Sequence, residues 1–320
     1  MIKITLKNVE PLMLRSQGEF EPLVTGSHNF AESLIIPRPS TVAGMLGSLK
    51  YDNLKTNPRD NWLLKLDHLL GNITIYGTLV EVNEKYLFPL RMGNLFALVD
   101  QIDLSVLYNI DKLGEKYESW EKEIYDLFYN KNKLFDVIHF QRRVGIKIRR
   151  NTKTAEEHYL YSARYLSFKG NVNYVIFING NDSLFENIDQ KFANLGGEGR
   201  VIELNATSDS VPIDTDTDYY LALSPILIPD ESLSDFFQNL DKYLVMGKVD
   251  KISLGFDIEN RKRKEMFTAI LEGSVIRKEF INFLNIIKNK IYDNYENYKI
   301  YEKIGYNTLT HPDQLRIKRK

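Results

Sequence analysis

The stretch 37–51, PRPSTVAGMLGSLKY, restricts the fold more than any other part of this sequence. Pro37 and Pro39 hold the backbone extended, and Ser40 is placed to cap the first turn of the helix that follows. Ala43, Gly44, Gly47 and Ser48 give this helix a small face, while Met45, Leu46 and Leu49 make it apolar elsewhere. Glycine inside a helix costs about 1 kcal/mol against alanine, so two of them predict close approach to backbone or ligand. Such a helix sits tightly on a sheet. Its N-terminus either faces a polyanion or simply packs.

The rest of the chain is read around it. Ile2, Ile4 and Leu6 alternate with polar residues and predict a half-buried opening strand. Residues 12–33 form a long irregular connection carrying Arg15, Gly18, Gly26, Ser27 and His28. Residues 73–82, ITIYGTLVEV, read as a strand that Asn83-Glu84-Lys85 turns toward YLFPL. Residues 95–135 read as an insertion, with Trp120, Ile124, Leu127 and Phe128 on one apolar helix face. Strand character returns at 159–168 and 172–178. Asp182 is placed to cap a helix running to Leu195 through Leu184, Phe185, Ile188 and Phe192. The glycine turn of LGGEGRVIEL then feeds a strand. Strand, helix, strand, strand, helix, glycine turn, strand is the split βαβ, ferredoxin-like plan.

A second copy follows. Residues 217–225 read as a strand, 230–240 as a short helix, 244–254 and 267–276 as strand-like, and 278–291 as a helix. Gly305-Tyr306-Asn307 introduces a last short strand. The expected class is α+β: two ferredoxin-like (RRM-like) βαββαβ domains with insertions. They span residues 1–208, with an insertion at about 95–158, and 209–320, with the polar run 205–210 at the boundary.

Composition excludes whole classes of function. The 320 residues contain no cysteine, which removes disulfide-linked partners, thiol catalysis and cysteine-based metal sites. The opening MIKITLKNVE lacks an apolar signal core, and no run approaches the roughly 18 apolar residues of a membrane helix. The cytoplasm is the expected compartment, with no membrane partner. A net charge of -1 gives no global attraction to nucleic acid, so any such site is local.

One local site stands out. Arg142, Arg143, Lys147, Arg149, Arg150 and Lys153 fall within twelve residues that contain no acid, interrupted by Val144, Gly145, Ile146 and Ile148. A hairpin of this kind cradles a phosphate backbone, or else is a solvated charged surface. Arg261–Lys264 and Arg316–Lys320 are weaker clusters. Between Val201 and Leu240 eight acids meet no lysine or arginine, a flank suited to a protein neighbour or to solubility. Gly196-Gly197-Glu198-Gly199-Arg200 offers consecutive backbone amides to a phosphate, or is a tight turn needing positive φ; it is neither a Walker motif nor a dinucleotide fingerprint.

Metal and acid–base sites are poor. Asp214, Asp216 and Asp218 alternate without the glycine and glutamate of a calcium loop, and the five histidines have no ligand spacing. His28, beside Arg15 and Ser27, is the one candidate base for attack by a ribose 2′-OH, with Arg15 or Arg38 as the phosphate stabiliser.

Several stretches recur in the order of a known family. They are FAESLIIPRPSTVAGMLGSL (30–49), LFPLRMG (87–93), RRVGIKIRRNTKTAEEHYLYSARYLSF (142–168), LGGEGR (195–200) and LEGSVIR (271–277). The sequence resembles the third-numbered, Cmr-type RAMP subunit of type III-B CRISPR effector complexes, over nearly the whole chain. The resemblance implies two ferredoxin-like domains in a cytoplasmic ribonucleoprotein for antiviral defence, with no catalytic role; no cofactor and no metal are expected. It implies binding of the 5′ tag of CRISPR RNA (crRNA), and contact with the large polymerase-like subunit and the adjacent backbone subunit.

Gly196, Gly197, Glu198, Gly199 and Arg200 match the family's first glycine-rich loop. Arg38 to Thr41 match the turn into the first helix, and Arg142 to Ile146 the segment between the central strands. The expected RNA-binding set is therefore Arg15, His28, Arg38, Ser40, Arg142, Arg143, Lys147, Arg149, Arg150, Gly196, Gly197, Gly199 and Arg200, with Tyr159 and Tyr161 as stacking candidates. Glu272 and Gly305-Tyr306-Asn307 depart from the family pattern, which gives the second domain's loop a structural reading. Two alternatives stand beside this one: a metal-independent endoribonuclease maturing CRISPR precursor RNA, and a protein-only scaffold.

Overall fold

Alternation along Ile2–Asn8 builds β1, which lies inside a sheet with neighbours on both edges. Ile4 and Leu6 are buried on one face. On the other, Lys3 is buried as well, because its Nζ meets Glu81 at 2.6 Å and lies 5.1 Å from the centre of the Tyr86 ring. The strand expected to be half-buried is thus covered on both faces at this point.

The computed structural model describes residues 1–15, 30–31, 33–50, 61–102, 106–107, 110–111, 117–148, 151–152, 154–180, 182–208, 218–257, 260, 262–292 and 296–310. After β1 come β2 (Phe30–Ala31), α1 (Pro39–Ser48), α2 (Trp62–Leu70), β3 (Thr74–Val82), β4 (Lys85–Met92) and β5 (Leu95–Val99). Then follow α3 (Tyr117–Tyr125), β6 (Ile138–Ile148), β7 (Ala155–Phe168), β8 (Val172–Asn179), β9 (Lys191–Asn194) and β10 (Val201–Ser208). Among the described residues, seven of these strands form one antiparallel sheet in the order β5-β4-β3-β8-β1-β10-β9. Asn83 and Glu84, both with positive φ, close the expected hairpin between β3 and β4.

Three local expectations change. Pro39, not a serine cap, starts α1; Arg38 is the capping residue, and the Ser40 hydroxyl instead donates to the Leu254 carbonyl at 3.0 Å. Of the two helical glycines, Gly47 does face a tight contact: a Cβ there would lie 3.0 Å from Leu66 on α2. Gly44 faces open space. The helix expected over 182–195 is one turn, Ser183–Glu186, capped by Asp182 as anticipated. Gln190 then takes φ 46°, its N–H bonds to Asn205 Oδ1, and Lys191–Asn194 pairs with β10.

The inserted region begins with β5, which extends the main sheet beside β4. Further on, α3 runs into a π-helical turn at Asp126–Asn130 and buries Ile124, Leu127 and Phe128 as expected; the Trp120 side chain lies outside what is described. The strands β6 and β7 form a ribbon of their own, with β2 parallel to β7.

The second half comprises β11 (Tyr219–Ala222), β12 (Ile226–Ile228), α4 (Leu233–Gln238), β13 (Leu244–Met246), β14 (Val249–Ser253), β15 (Phe256–Asp257), β16 (Lys262–Arg263), β17 (Met266–Ile270), β18 (Val275–Arg277), α5 (Lys278–Tyr292), α6 (Glu296–Lys303) and β19 (Leu309–Thr310). Its long strands are interrupted midway, at Leu223–Pro225, Gly247–Lys248 and Leu271–Ser274, giving two sheets, β13-β18-β11-β19 and β12-β17-β14. The interruptions are backbone-driven. Gly247 has φ 153°, and a Cβ there would fall 2.3 Å from Ser274 Oγ. The spatial order β13-β18-β11-β19 repeats that of β3-β8-β1-β10 in the first half.

The halves are welded at these kinks. Arg91 of β4 and Gly93, in the turn just after it, donate their N–H groups to the carbonyls of Gly273 (2.8 Å) and Gly247 (2.9 Å). Beneath them lies Glu272, buried, bonded by Arg91 at 3.0 Å and Arg38 at 3.2 Å. Leu221, Leu223, Met246 and Val275 share a hydrophobic cluster with Leu79, Phe88 and Leu90. No helix among the described residues is long and apolar enough to cross a membrane.

Candidate nucleic-acid interface

The basic run 142–148 is part of a strand, so its side chains alternate between the two faces of the ribbon. On one face Arg142 stands directly opposite Arg164, whose guanidinium lies 4.0 Å from the centre of the Phe140 ring. Like charges directly opposite one another are destabilising, and an anion relieves them. On the other face Arg143 lies 4.8 Å from the Tyr165 ring, and Tyr165 packs on Met13 and Ala163. Both Arg142 and Arg143 are exposed, as is Val144 between this ribbon's strands and solvent.

The glycine loop abuts the Tyr165 face. It joins β9 to β10, closed by Leu195 N–H donating to the Arg200 carbonyl at 2.8 Å. Gly196 takes φ 80°, and a Cβ there would lie 2.5 Å from the Met13 carbonyl oxygen, so only glycine fits. Gly197 donates its N–H to that same oxygen at 2.8 Å. One amide of the expected phosphate nest is therefore spent on the protein itself.

Glu198 takes the left-handed φ of 62° and receives hydrogen bonds from the Tyr165 hydroxyl (2.5 Å) and Arg200 Nη2 (2.8 Å). Arg200 Nη1 also bonds Glu10 at 3.1 Å, and its guanidinium is 4.9 Å from the Tyr165 ring. Glu10 in turn accepts the Val201 N–H at 2.7 Å. These bonds set the ionisation of both acids. The Val201 N–H and then Arg200 hold Glu10 below the usual carboxylate range. Burial pushes Glu198 up, but the bonds from Tyr165 and Arg200 outweigh it, helped by the charge of Arg15, and the net shift is downward. Arg200 is thus a clamp between two carboxylates and a ring.

The remaining expected residues are dispersed. Arg15, exposed, bridges to Ser33 and adds its charge to this hub. Leu14 N–H bonds Ser33 Oγ at 2.8 Å, and Leu12 pairs with Leu166, so 10–15 staples ribbon, glycine loop and the approach to α1 together. Arg38 and Ser40 face inward, toward Glu272 and toward Leu254 and Tyr306. His28, Arg149 and Arg150 lie outside the described residues, as do the side chains of Lys147, Tyr159 and Tyr161. Sequence reasoning missed Glu10, Met13, Arg164 and Tyr165. The basic–aromatic interleaving of Ala163-Arg164-Tyr165 was the signal available for two of them.

Arg15, Arg143 and Arg200 thus meet Glu10 and Glu198 on the Tyr165 face, while Arg142 and Arg164 stand on the opposite face of the ribbon. Among the described residues no group of three or more His, Cys, Asp or Glu is arranged to hold a metal ion. Fold and site define a class: a mixed α/β protein of antiparallel sheets bearing a basic–aromatic ribbon next to a glycine loop.

Comparison with known proteins makes this particular. The family model described as CRISPR-associated protein (Cas_Cmr3) matches residues 119–311. The CRISPR system CMR subunit Cmr3 of Saccharolobus solfataricus is 55% identical over 313 residues, 97% of this chain and 96% of that protein. A chain of the type III-B Cmr-beta complex bound to cognate target RNA and AMPPnP, solved by cryo-EM, aligns with a TM-score of 0.84 at 52% identity, covering 98% of this chain and 97% of that one. A chain of the same complex bound to cognate target RNA alone gives 0.84 at 55% identity, covering 97% of both. The chain belongs to the Cmr3 family of CRISPR-associated proteins.

Proposed function

We propose that this chain is a non-catalytic subunit of a type III-B CRISPR ribonucleoprotein in the cytoplasm. It binds the 5′ tag of crRNA, anchors the large polymerase-like subunit and meets the adjacent backbone subunit. The observation that carries this reading is the ribbon of β6 and β7, with arginine beside an aromatic ring on both faces and the glycine loop seated against one of them. The related Cmr-beta chains sit in complexes bound to cognate target RNA, which supports it.

In this reading Arg142, Arg143 and Arg164 neutralise backbone phosphates, and Lys147, Arg149 and Arg150 of the same basic sequence run belong to the contact set. Bases of a short single-stranded tag are splayed and stacked on aromatic faces. Gly196 and Gly197 seat the loop on Met13, and Gly199 keeps its outer turn open. Arg200 positions Glu198 and Tyr165 rather than gripping RNA itself. Arg38 and Ser40, spent on interior partners, are left out of the contact set. The chain is read as two ferredoxin-like modules, 1–208 and 209–320, and the strand order repeated in both halves supports that division.

The test is a titration of the chain, reconstituted with its large partner, against labelled RNAs with and without the repeat-derived tag, in EDTA. Preference for the tagged RNA, left intact, is the expected result. Equal binding to both removes tag specificity; cleaved RNA replaces this reading with the endoribonuclease.

A further inference from the structure

The seven-stranded sheet ends in β5 on one side and β9 on the other, and the chain treats these edges differently. At β5 the outward backbone groups are closed by the turn at residues 132–133. Leu98 N–H donates to Asn132 Oδ1 (3.1 Å), the Leu98 carbonyl accepts the Lys133 N–H (2.8 Å), and the Phe96 carbonyl accepts from Asn132 Nδ2 (3.2 Å). An open edge is a template for a further strand, and this turn removes it.

At β9 the corresponding groups stay open. Antiparallel partners alternate between pairs that exchange hydrogen bonds and pairs that do not. Leu195 and Arg200 form a bonded pair (2.8 Å), so in the same register Ala193–Ile202 and Lys191–Leu204 are bonded as well. Asn194–Val201 and Phe192–Glu203 are the pairs between them. Val201 fixes the phase independently, because its N–H turns away from β9 to Glu10 at 2.7 Å. Phe192 and Asn194 therefore direct their N–H and C=O groups outward, about 6.8 Å apart along the strand. Among the described residues β9 pairs with β10 alone, and no turn closes these groups.

The side chains agree with an open edge. Phe192 is 59% exposed and Asn194 is exposed beside it, so neither outward-pairing residue is the charge or proline that guards a solvated edge. Across from Phe192, Glu203 is already engaged by Lys7 (3.1 Å) and Asn205 (3.3 Å). The strand is also held ready at both ends. Gln190 N–H bonds Asn205 Oδ1 at one, and the glycine loop is seated on Met13 at the other.

We propose that β9 is the docking edge for an extended segment of another protein subunit, which adds to the sheet beyond β9. A polypeptide is the occupant because donors and acceptors alternate along this edge. Phosphate oxygens only accept, and would be set against the two outward carbonyls. Phe192 selects an apolar or aromatic residue on the incoming strand. The inference rests on the chain's place in a multisubunit complex, not on its contact with RNA.

The test compares residue-level amide exchange in the isolated chain and in the reconstituted type III-B complex. The Phe192 and Asn194 amides are expected to exchange freely in the isolated chain and about tenfold or more slowly in the complex. Those of Lys191 and Ala193 are protected in both. Asn194→Pro deletes one outward N–H and no bond to β10, so its thermal midpoint stays within about 2 °C of wild type while its affinity for the complex falls about tenfold. Phe192→Ser keeps every backbone group, serves if the proline lowers the midpoint, and weakens assembly about threefold. Unprotected amides in the complex, or wild-type assembly by both variants, overturn the proposal and leave the function standing. Slowed exchange with dimerisation of the isolated chain assigns the edge to a second copy and overturns it. Slowing by tag RNA without protein partners assigns the edge to RNA and overturns it as well. A wild-type chain that joins no complex overturns this proposal and the function together.

Discussion

Glu272 shows how one residue fixes the relation between two halves. Its buried carboxylate neutralises Arg38 and Arg91 at once, and burial already presses on the Arg91 charge. Removing it strands two guanidinium groups in the interior, so Glu272→Ala is expected to cost about 3–5 kcal/mol in denaturant unfolding. Glu10 and Glu198 act at the hub of ribbon and glycine loop instead. Both have folded-state ionisation lowered below the ordinary value of 4.5, so each stabilises the fold above that value and loses its contribution as pH falls through its lower folded value. Thermal stability is therefore expected to decline below about pH 4.5, and Glu198→Gln is expected to flatten part of that decline. A parallel shift of the whole curve in the variant would contradict the assignment.

At the scale of elements, the second-half strands depend on their kinks. Gly247→Ala puts a Cβ into Ser274 and forces a left-handed backbone, so it is expected to destabilise by about 2–3 kcal/mol while Gly44→Ala, facing open space, does not destabilise at all. The reason some elements were legible lies in locality. The strand at 73–82, its turn at Asn83-Glu84 and the helix from Lys278 announce themselves through alternation, turn chemistry and helical spacing. Residues 182–195 did not, because Leu184, Phe185, Ile188 and Phe192 fit a helix as well as the turn and edge strand they form; Phe192 is in fact exposed. Pro39 displaced the serine cap for a similar reason, since a preset φ starts the helix and frees Ser40 for the interior. Of the candidate site, the arginines at 142 and 143 and the glycine loop were legible in sequence. Glu10 and Met13 were not, because their roles exist only once segments over a hundred residues apart meet, and Tyr165 takes its role only where the ribbon packs on the glycine loop.

For the whole molecule, the shared clusters and the β4 junction predict one cooperative unfolding transition despite the two repeated halves. Calorimetry with matching calorimetric and van't Hoff enthalpies is the expected result, and two resolved transitions would contradict a shared core. In the proposed reading a near-neutral chain meets RNA through a local surface, and ribbon, glycine loop and the 10–15 segment are brought together to offer one. The most direct measurement is photocrosslinking of 4-thiouridine placed along the 5′ tag in the reconstituted complex, with the joined peptides mapped by mass spectrometry. Crosslinks within 138–168 and 195–200 are the predicted outcome. Crosslinks confined to the helices α5 and α6 or to other subunits would contradict tag recognition by this surface.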